Sequence, residues 1–247
     1  MIEIRSKEEI EKLRQAGKVL AEIVAKLKPS IKAGIATQEI DRIAEELIKK
    51  SKAIAAFKGY RGFPANICIS INEEIVHGIP SERVIRDGDL VGLDIGINLN
   101  GFFSDTAFTA AIGKISSQEK KLIDTARKSL EAGISKVKVN NRLGDVSAAI
   151  QQVVEAQGFS VVRDFVGHGI GKKMHEDPEI PNFGQAHQGP ILKEGMVLAI
   201  EPMVNMGTWE AEILPNGWTA VTKDKKPSVH FEHTVALTDK GPEVLTK

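Results

Sequence analysis

The sequence lacks the features on which several classes of protein depend. It has one cysteine, Cys68, among 247 residues, so it can form neither an intrachain disulfide nor a zinc site of the CxxC type. Lys and Arg total 33, and Asp and Glu also total 33, so the formal net charge is zero. A chain without an overall basic field has no charge excess to favour nucleic acid as its main ligand.

Long apolar runs and targeting segments are missing as well. No apolar run approaches the ~18 residues of a membrane span, and residues 1–11 alternate charged with single apolar residues, unlike a secretory signal. The composition, 42% hydrophobic and 27% charged, is typical of a folded globular domain. We therefore expect a soluble, cytoplasmic protein that has no membrane partner.

Four helices are predicted from capping signals and apolar periodicity. Residues 6–9 and 116–119 are both capping boxes, and each precedes apolar residues spaced along one helical face. Thr37 is the predicted N-cap of a second helix. A fourth helix is predicted at about residues 145–156. Strands are predicted after each pair of helices, so the order of elements repeats along the chain.

Short motifs repeat in the same order as the elements. His77-Gly78-Ile79-Pro80 corresponds to His168-Gly169-Ile170-Gly171. A charged, glycine-containing string that leads into an apolar strand also occurs twice. When the two copies are aligned, Asp94 corresponds to Glu201. We interpret this pattern as an internal duplication.

The duplication predicts one domain, residues 1–247, built from halves of roughly 1–113 and 114–247. Its predicted class is α+β, with two halves related by a pseudo-twofold axis. Antiparallel strands should pack together at the centre, with the helices outside.

Acidic residues lie inside strands that are otherwise apolar. The predicted strands at 90–97 and near 196–203 contain Asp94 and Glu201, respectively, and no basic residue. An unpaired buried carboxylate is costly or takes up a proton. Each acid therefore needs a partner, unless it lies in water at the end of its strand.

A predicted hairpin brings a second acid to Asp94. Residues 98–101 suit a four-residue loop. In such a hairpin the numbers of two opposed residues add up to 199, so Asp105 faces Asp94. The two Cβ atoms would then lie ~5 Å apart. Like charges in this position destabilise a sheet unless a cation lies between them, so the pair predicts a cation site.

The second half contains a comparable pair of acids. Asn216-Gly217 suits a two-residue turn. In such a hairpin the numbers of two opposed residues add up to 433, so Glu232 faces Glu201. Gly207 and Pro227 should interrupt this ladder, because neither residue suits a strand interior.

A histidine completes a candidate metal site. His168 lies between two glycines, where a backbone can approach a site closely. Four carboxylates balance two divalent ions, and the set suits Co, Mn, Fe(II) or Zn without deciding among them. Two such ions ~3.5–4 Å apart would activate water and stabilise an oxyanion on a scissile carbonyl. The candidate ligands are Asp94, Asp105, His168, Glu201 and Glu232.

Other histidines lie in or near the same motifs. His77 and His175 could hydrogen-bond a substrate or transfer a proton, or could be loop residues with local partners. His230 shares the predicted face of Glu232, whereas His233 should point to the other side of the sheet.

Taken in order, the motifs resemble those of type 1 methionine aminopeptidase in its short bacterial-like form. The resemblance covers essentially the whole chain and implies the pita-bread fold, a pseudo-twofold α+β domain. It also implies a metal-dependent peptide hydrolase that uses two divalent ions per chain. The matching strings are Cys68-Ile69-Ser70-Ile71-Asn72-Glu73, Val76-His77-Gly78-Ile79-Pro80, Asp94, Ser104-Asp105-Thr106, Gly167-His168-Gly169-Ile170-Gly171, His175-Glu176, Ile200-Glu201-Pro202-Met203 and Phe231-Glu232-His233-Thr234.

The resemblance also implies individual roles. Among the ligands, His168 and Glu201 would bind one ion and Glu232 would bridge the two. His77 and His175 would contact the substrate, with His175 near the scissile carbonyl, and Glu201 would also take the proton from the attacking water. The pocket for the methionine side chain would suit a thioether, and its residues would be Tyr60, Phe63, Cys68 and Trp218.

Three residues depart from the pattern of the family. Phe63 stands where many relatives have Tyr, Met174 where some have an aromatic residue, and Val76 where some have Cys. All three bear on the pocket lining and hence on side-chain preference. The five candidate ligands are intact.

The expected activity is cotranslational removal of the initiator methionine when the next residue is small, because the catalytic groups crowd that position. The expected partners are nascent N-termini, and the enzyme is expected to be a monomer. No specific nucleic acid is expected, although Lys49-Lys50 and Lys225-Lys226 could touch the surface of the ribosome.

Two alternatives use the same fold. A prolidase or proline-directed aminopeptidase carries similar ligands but usually adds a large N-terminal domain, for which 247 residues leave no room. A non-catalytic binding module normally loses ligand residues, and none is lost here.

Overall fold

Four α-helices and fifteen β-strands make up the structure, a computed structural model that describes residues 1–247. This content agrees with the predicted α+β class. The helices are Lys7–Leu27 (α1), Thr37–Lys50 (α2), Ser117–Ser135 (α3) and Leu143–Glu155 (α4). The strands are Ile54–Ala55 (β1), Cys68–Ile71 (β2), Glu74–Val76 (β3), Leu90–Leu99 (β4), Phe102–Ala111 (β5), Ser160–Val161 (β6), Gly167–Gly169 (β7), Glu176–Ile180 (β8), Val197–Ile200 (β9), Met203–Asn205 (β10), Ala211–Ile213 (β11), Ala220–Thr222 (β12), Ser228–His230 (β13), Glu232–Thr238 (β14) and Gly241–Val244 (β15).

Both predicted capping boxes form. The Ser6 hydroxyl accepts the backbone N–H of Glu9, and the Glu9 carboxylate accepts the N–H of Ser6. Ser116 and Glu119 make the same exchange at the start of α3. These contacts satisfy backbone donors that have no partner within the first helical turn. None of the helices has the length and apolar character required to cross a membrane.

The prediction that Thr37 caps α2 is wrong. The N-cap is Ala36, and Thr37 is the first helical residue. Its hydroxyl donates to the carbonyl of Ser81 at 3.0 Å and accepts the Ser81 N–H at 2.8 Å. The Thr37 hydroxyl was predicted to cap the helix end. It is instead hydrogen-bonded to a residue 44 positions away in sequence.

A nine-stranded sheet runs through both halves of the chain. Its main path is β1-β4-β5-β14-β9-β7-β8, with β2 also paired to β4 and β15 to β14. Every pairing within it is antiparallel. The seam between the halves is the pairing of β5 with β14, at Thr106 opposite His233. Two candidate ligands, Asp105 and Glu232, lie on the strands of this seam.

The β4–β5 hairpin has a shorter turn than the four-residue loop predicted at 98–101. Leu99 pairs with Phe102, which leaves a two-residue turn of Asn100 and Gly101. The two turn residues have φ angles of 53° and 86°. Asn-Gly adopts such angles readily, and this turn matches the twist of the flanking strands.

The shorter turn changes the partner of each acid. Asp94 pairs with Ala107, and Asp105 pairs with Gly96. The prediction that the two acids are directly opposite is therefore wrong. They are diagonal neighbours on one face, because their pairing positions differ by two residues.

The register predicted for the second half is correct. Opposed residue numbers sum to 433 in three successive pairings, β9–β14, β10–β13 and β11–β12. The ladder is broken where predicted, since Gly207 and Pro227 lie between the paired segments. Representative pairs are Ile200 with His233, Met203 with His230, and Ala211 with Thr222.

Each half has a separate apolar core. Helices α1 and α2 contribute Leu20 and Ile40 to a core that also contains strand residues of the first half, including Leu93. Helices α3 and α4 contribute Leu122 and Ile150 to the other core, which also contains strand residues such as Leu198. A third, smaller cluster joins the halves, since it contains both Leu13 and Val197, and the division into halves of roughly 1–113 and 114–247 stays a prediction.

Gly17, in the middle of α1, provides a test of this packing. A Cβ on Gly17 would lie 2.3 Å from the carbonyl oxygen of Leu245. Replacing a mid-helix glycine by alanine usually stabilises by about 1 kcal/mol. Here we expect Gly17→Ala to lower the free energy of unfolding by about 1–3 kcal/mol, because backbone must move to make room.

Urea unfolding at neutral pH measures the difference. The exposed neighbour Lys18 supplies the control, and Lys18→Ala should change the free energy by less than about 0.5 kcal/mol. A Gly17→Ala variant more stable than the parent would contradict the close packing of Leu245 on α1.

Candidate metal centre and substrate pocket

Five adjacent strands bring together the five residues predicted as ligands. The strands follow one another in the order β4, β5, β14, β9 and β7. Ala107 of β5 pairs with Asp94 on one side and Glu232 on the other, so a single methyl group separates these acids. The five residues are Asp94 on β4, Asp105 on β5, Glu232 on β14, Glu201 directly after β9, and His168 on β7.

The side chains of three of these residues meet at one point. Ligand atoms of Asp105, His168 and Glu232 all lie within 4.8 Å of one another, and all three residues are buried. Glu201 adjoins them, with its Oε1 3.6 Å from Nε2 of His168. Asp94 is largely enclosed, and its Oδ1 is shielded from solvent.

Threonine hydroxyls tie β5 to β14 beside the acids. Thr234 accepts the backbone N–H of Asp105 at 3.0 Å and donates to the Asp105 carbonyl at 2.8 Å. Thr106 donates to the carbonyl of Glu232 at 2.7 Å. These bonds hold the backbones of Asp105 and Glu232 in place, so the carboxylates stay close despite their charge.

The acids lack any cationic side chain to balance them. No Lys or Arg forms an ion pair with the four carboxylates. Burial raises the pKa of Asp94, Glu201 and Glu232 well above the usual range, and the neighbouring carboxylates raise it further. Burial also raises the pKa of Asp105, to about 7. Without a cation, the cluster therefore retains protons that free carboxylates would release.

His168 is prepared to donate a lone pair to a metal. Its Nδ1 lies 2.9 Å from the carbonyl oxygen of Gly169, which can only accept, so Nδ1 carries the proton. Burial lowers the pKa of His168 to about 4, which keeps the ring neutral. Its Nε2 then offers a lone pair toward Glu201, the arrangement common in metal-binding histidines.

The glycines beside His168 permit this placement. A Cβ on Gly167 would lie 2.4 Å from the carbonyl oxygen of Ala199, and one on Gly169 would lie 2.1 Å from that of Asp177. Strands on both sides therefore approach the backbone of His168 more closely than a side chain would allow. This close approach is the one that the Gly-His-Gly string predicts.

The donor set fits divalent metal ions. Asp94 Oδ1 and Glu232 Oε1 are shielded from solvent and have no hydrogen-bond partner. Unpaired buried oxygens are costly, and a cation bound among them would remove that cost. Carboxylates with one imidazole suit Mn, Fe(II), Co or Zn.

A second imidazole lies on the other side of Glu201. His230 Nε2 is 3.6 Å from Glu201 Oε2, is buried, and has no hydrogen-bond partner. Burial lowers the pKa of His230 to about 3, so the contact joins a neutral ring to the acid. His233, as predicted, faces away from the cluster, and its Nδ1 lies 2.9 Å from the hydroxyl of Thr246.

His175 lies at the mouth of the site. Its ring centroid is 4.2 Å from that of His168, and its Nδ1 lies 2.8 Å from the Tyr60 hydroxyl. The residue is exposed on one side. Partial burial of the ring, followed by the proximity of His168, lowers the pKa of His175, so its imidazole is neutral near pH 7.

His77 lies near the pocket in a backbone conformation that is rare for a residue other than glycine. Its φ is 60°, and its ring packs edge-on against Phe165 at 5.5 Å and Trp218 at 6.4 Å between centroids. Burial lowers the pKa of His77. Such backbone strain is common at functional sites.

The four residues predicted to line the pocket belong to one apolar cluster. Phe63 and Cys68 are buried in it, and Tyr60 and Trp218 pack against it. The rings of Phe63 and Trp218 meet edge-on with centroids 5.1 Å apart. The cluster adjoins the acids directly, because Cys68 pairs with Asp94 across β2 and β4.

Several residues near the site were missed by sequence reasoning. Ala56, Phe57 and Ala65 belong to the pocket cluster, and Phe165 packs on His77. Asn182 donates to the backbone carbonyl of Glu201 at 3.1 Å. Apolar side chains and single amides form no motif of their own. The one available signal was closeness in sequence to predicted residues, as for Ala65 beside Phe63 and Phe165 three residues before His168.

Known proteins similar to this chain are metallopeptidases. The model of metallopeptidase family M24 matches residues 11–239. A methionine aminopeptidase of Clostridium perfringens is 54% identical and covers 100% of this chain and 99% of its own length. Methionine aminopeptidase 1 of Bacillus subtilis is 50% identical, with 100% of both chains covered.

Solved structures show the same similarity. The crystal structure of a methionine aminopeptidase from Thermotoga maritima has a TM-score of 0.98 and 44% identity, and the match covers 100% of both chains. A prolidase from Pyrococcus furiosus has a TM-score of 0.79 and 25% identity, and the match covers 99% of this chain but 65% of that one. The predicted pita-bread fold is thereby confirmed.

Asp105→Asn tests whether the cluster is held together against its own charge. Between about pH 4 and pH 7 Asp105 holds its proton more firmly in the folded metal-free chain than in the unfolded chain, because burial raises its pKa to about 7. The contribution of Asp105 to the free energy of unfolding therefore falls as pH rises through this interval. At pH 7.5 we expect metal-free Asp105→Asn to be about 1–3 kcal/mol more stable than the parent, and to bind metal at least about tenfold more weakly.

Urea unfolding of chelator-treated protein at pH 5 and pH 7.5, with metal titration calorimetry, provides both measurements. Asp41→Asn is the control, because Asp41 accepts hydrogen bonds from Asn66 and Ile67 outside the site. It should lose stability while its metal affinity is unchanged. Unaltered metal affinity in Asp105→Asn would exclude Asp105 as a ligand.

Proposed function

Because this chain belongs to the methionine aminopeptidases of metallopeptidase family M24, it is an enzyme that releases N-terminal methionine, and we propose that two divalent ions serve this reaction. The number and identity of the ions belong to this proposal. The proposed ligands are Asp94, Asp105, His168, Glu201 and Glu232. The observation that carries the proposal is a cluster of four enclosed carboxylates, without a cationic side chain, beside an apolar pocket.

Each proposed step of the reaction depends on a particular side chain. When bound, divalent ions supply Lewis acidity to a water molecule and to the peptide carbonyl. Glu201, between His168 and His230, accepts the proton of the attacking water. His175 donates a hydrogen bond to the reacting peptide group from Nε2, since Tyr60 lies at its Nδ1. His77, whose ring packs against Phe165 and Trp218, also contacts the substrate.

The pocket selects the methionine side chain. Its lining of Tyr60, Phe63, Cys68 and Trp218 is apolar and polarisable, which suits a thioether. Met174 is buried in the same cluster. A flexible thioether in the wall should widen the range of side chains that fit.

Substrates, location and assembly complete the proposal. We propose nascent polypeptides as substrates, which the enzyme meets in the cytoplasm as a monomer. Contact with the ribosome through Lys49-Lys50 and Lys225-Lys226 is part of this proposal. These lysines are exposed, but Lys49 pairs with Glu45 at 3.1 Å and Lys225 pairs with Glu212, so any such contact has to compete with acidic neighbours.

A peptide series tests the reaction and its selectivity. We expect kcat/KM for Met-Ala and Met-Gly peptides to exceed that for Met-Lys peptides at least about tenfold, because the catalytic groups leave little room beside the methionine. Chelator-treated enzyme should be inactive, and added Co, Mn, Fe(II) or Zn should restore activity. Elemental analysis of protein purified anaerobically gives the number of ions. Equal turnover of all three peptides, or faster cleavage of Xaa-Pro peptides, would contradict the assignment.

Glu201→Gln tests the proton acceptor. The amide preserves the shape of the side chain but is a poor base, so we expect kcat to fall about 10²- to 10⁴-fold. Steady-state assays on a Met-Ala peptide measure the loss. The control is Glu210→Gln, which removes an exposed acid paired only with Lys223 and should leave kcat unchanged. A Glu201→Gln variant with full activity would exclude the proposed role.

A further inference from the structure

A buried ion pair links the N-terminal segment to the segment that carries His175. The Arg5 side chain is 5% exposed, the Glu176 side chain is 9% exposed, and the guanidinium donates to Glu176 Oε2. The two residues are 171 positions apart in sequence. Ion pairs of this kind are rarely buried, because both charges must leave water. Pairing of surface charges does not explain why this ion pair is buried next to His175.

The second oxygen of Glu176 holds the turn before His175. Oε1 accepts the backbone N–H of Lys172 and that of Lys173, both at 2.9 Å. Glu176 also pairs with Gly169, the residue after His168, at the irregular start of the β7–β8 pairing. One carboxylate thus connects Arg5, the turn at residues 171–175 and the strand of His168.

Arg5 is itself fixed by close packing. Its backbone N–H donates to the carbonyl of Gly195 at 2.8 Å. A Cβ on Gly171 would lie 2.5–2.7 Å from three atoms of the guanidinium group, so the charged plane lies directly on the glycine backbone. Arg5 is therefore held at three points: its backbone by Gly195, and its guanidinium by Gly171 and Glu176.

We propose that Arg5 is a positioning residue for the reaction, acting through Glu176 to hold the turn that presents His175 to the substrate. The inference rests on the catalytic role proposed for His175 and deepens it. A carboxylate without its guanidinium would be drawn toward solvent and would release the two amides of the turn. The His175 ring, free on its exposed side, would then lose its alignment.

Steady-state kinetics on a Met-Ala peptide test the proposal. We expect Arg5→Gln to lower kcat at least about tenfold with KM changed less than about threefold, because a small displacement of a catalytic group slows the chemical step. His175→Gln should lower kcat about a hundredfold. The matched control is Arg14→Gln, since Arg14 of α1 makes two hydrogen bonds with Glu243, away from the turn. Its kcat should stay within about twofold of the parent.

A double variant separates positioning from general stability. Arg5→Gln combined with His175→Gln should have the kcat of His175→Gln alone within about twofold, because the groups act as one unit. Hydrogen exchange gives a readout that does not require activity: the Lys172 and Lys173 amides should exchange at least about tenfold faster in Arg5→Gln than in Arg14→Gln. Metal content should not change.

The outcomes distinguish the inference from the function on which it rests. A strong loss in His175→Gln with normal kcat in Arg5→Gln overturns the role of Arg5 only. Full activity of His175→Gln overturns the catalytic role of His175, and with it the positioning role of Arg5. Losses that multiply in the double variant indicate a structural role and also overturn the inference. If Arg5→Gln does not fold, Arg5→Lys replaces it: lysine keeps the charge but lacks the planar fork, and a smaller loss with the same non-additivity is expected.

Discussion

Repulsion among four enclosed carboxylates is the constraint on which the site depends. Such a cluster is unfavourable without protons or cations, and the surrounding structure holds it in place by means that do not involve charge. Ala107 separates Asp94 from Glu232, and threonine hydroxyls fasten β5 to β14 beside them. The energy stored in this arrangement is available for binding metal ions, because bound cations replace repulsion with attraction.

The same burial that raises the pKa of the acids lowers that of the histidines around them. His168 and His230 are therefore neutral near pH 7 and flank Glu201 as lone-pair donors or hydrogen-bond partners, not as counter-charges. The pocket wall begins one strand away, where Cys68 pairs with Asp94. In the proposed mechanism the reacting groups and the side-chain pocket are thus joined through a single pair of strands, an arrangement that would confine cleavage to the residue whose side chain fills the pocket.

The errors of prediction occur where the predicted local structure has a competitor, which is local in one case and tertiary in the other. Residues 98–101 could form a four-residue loop or a two-residue Asn-Gly turn, and the tighter turn matches the twist of its strands. This choice moved Asp105 from a position opposite Asp94 to a diagonal one, yet on the same face, because the register changed by an even number. Thr37 could have capped the helix, but its hydroxyl makes two hydrogen bonds with the backbone of Ser81 instead.

The sequence by itself determined the class of fold, the family, the capping of α1 and α3, the register of the second half and the candidate ligands. Each of these depends on patterns of neighbouring residues or on ordered motifs. Only the tertiary structure decided that Arg5 meets Glu176, that Phe165 packs on His77, and that Leu245 crosses α1 at Gly17. Such contacts join residues far apart in the chain, and no local pattern records them, because their partners are selected by the packing of the complete fold.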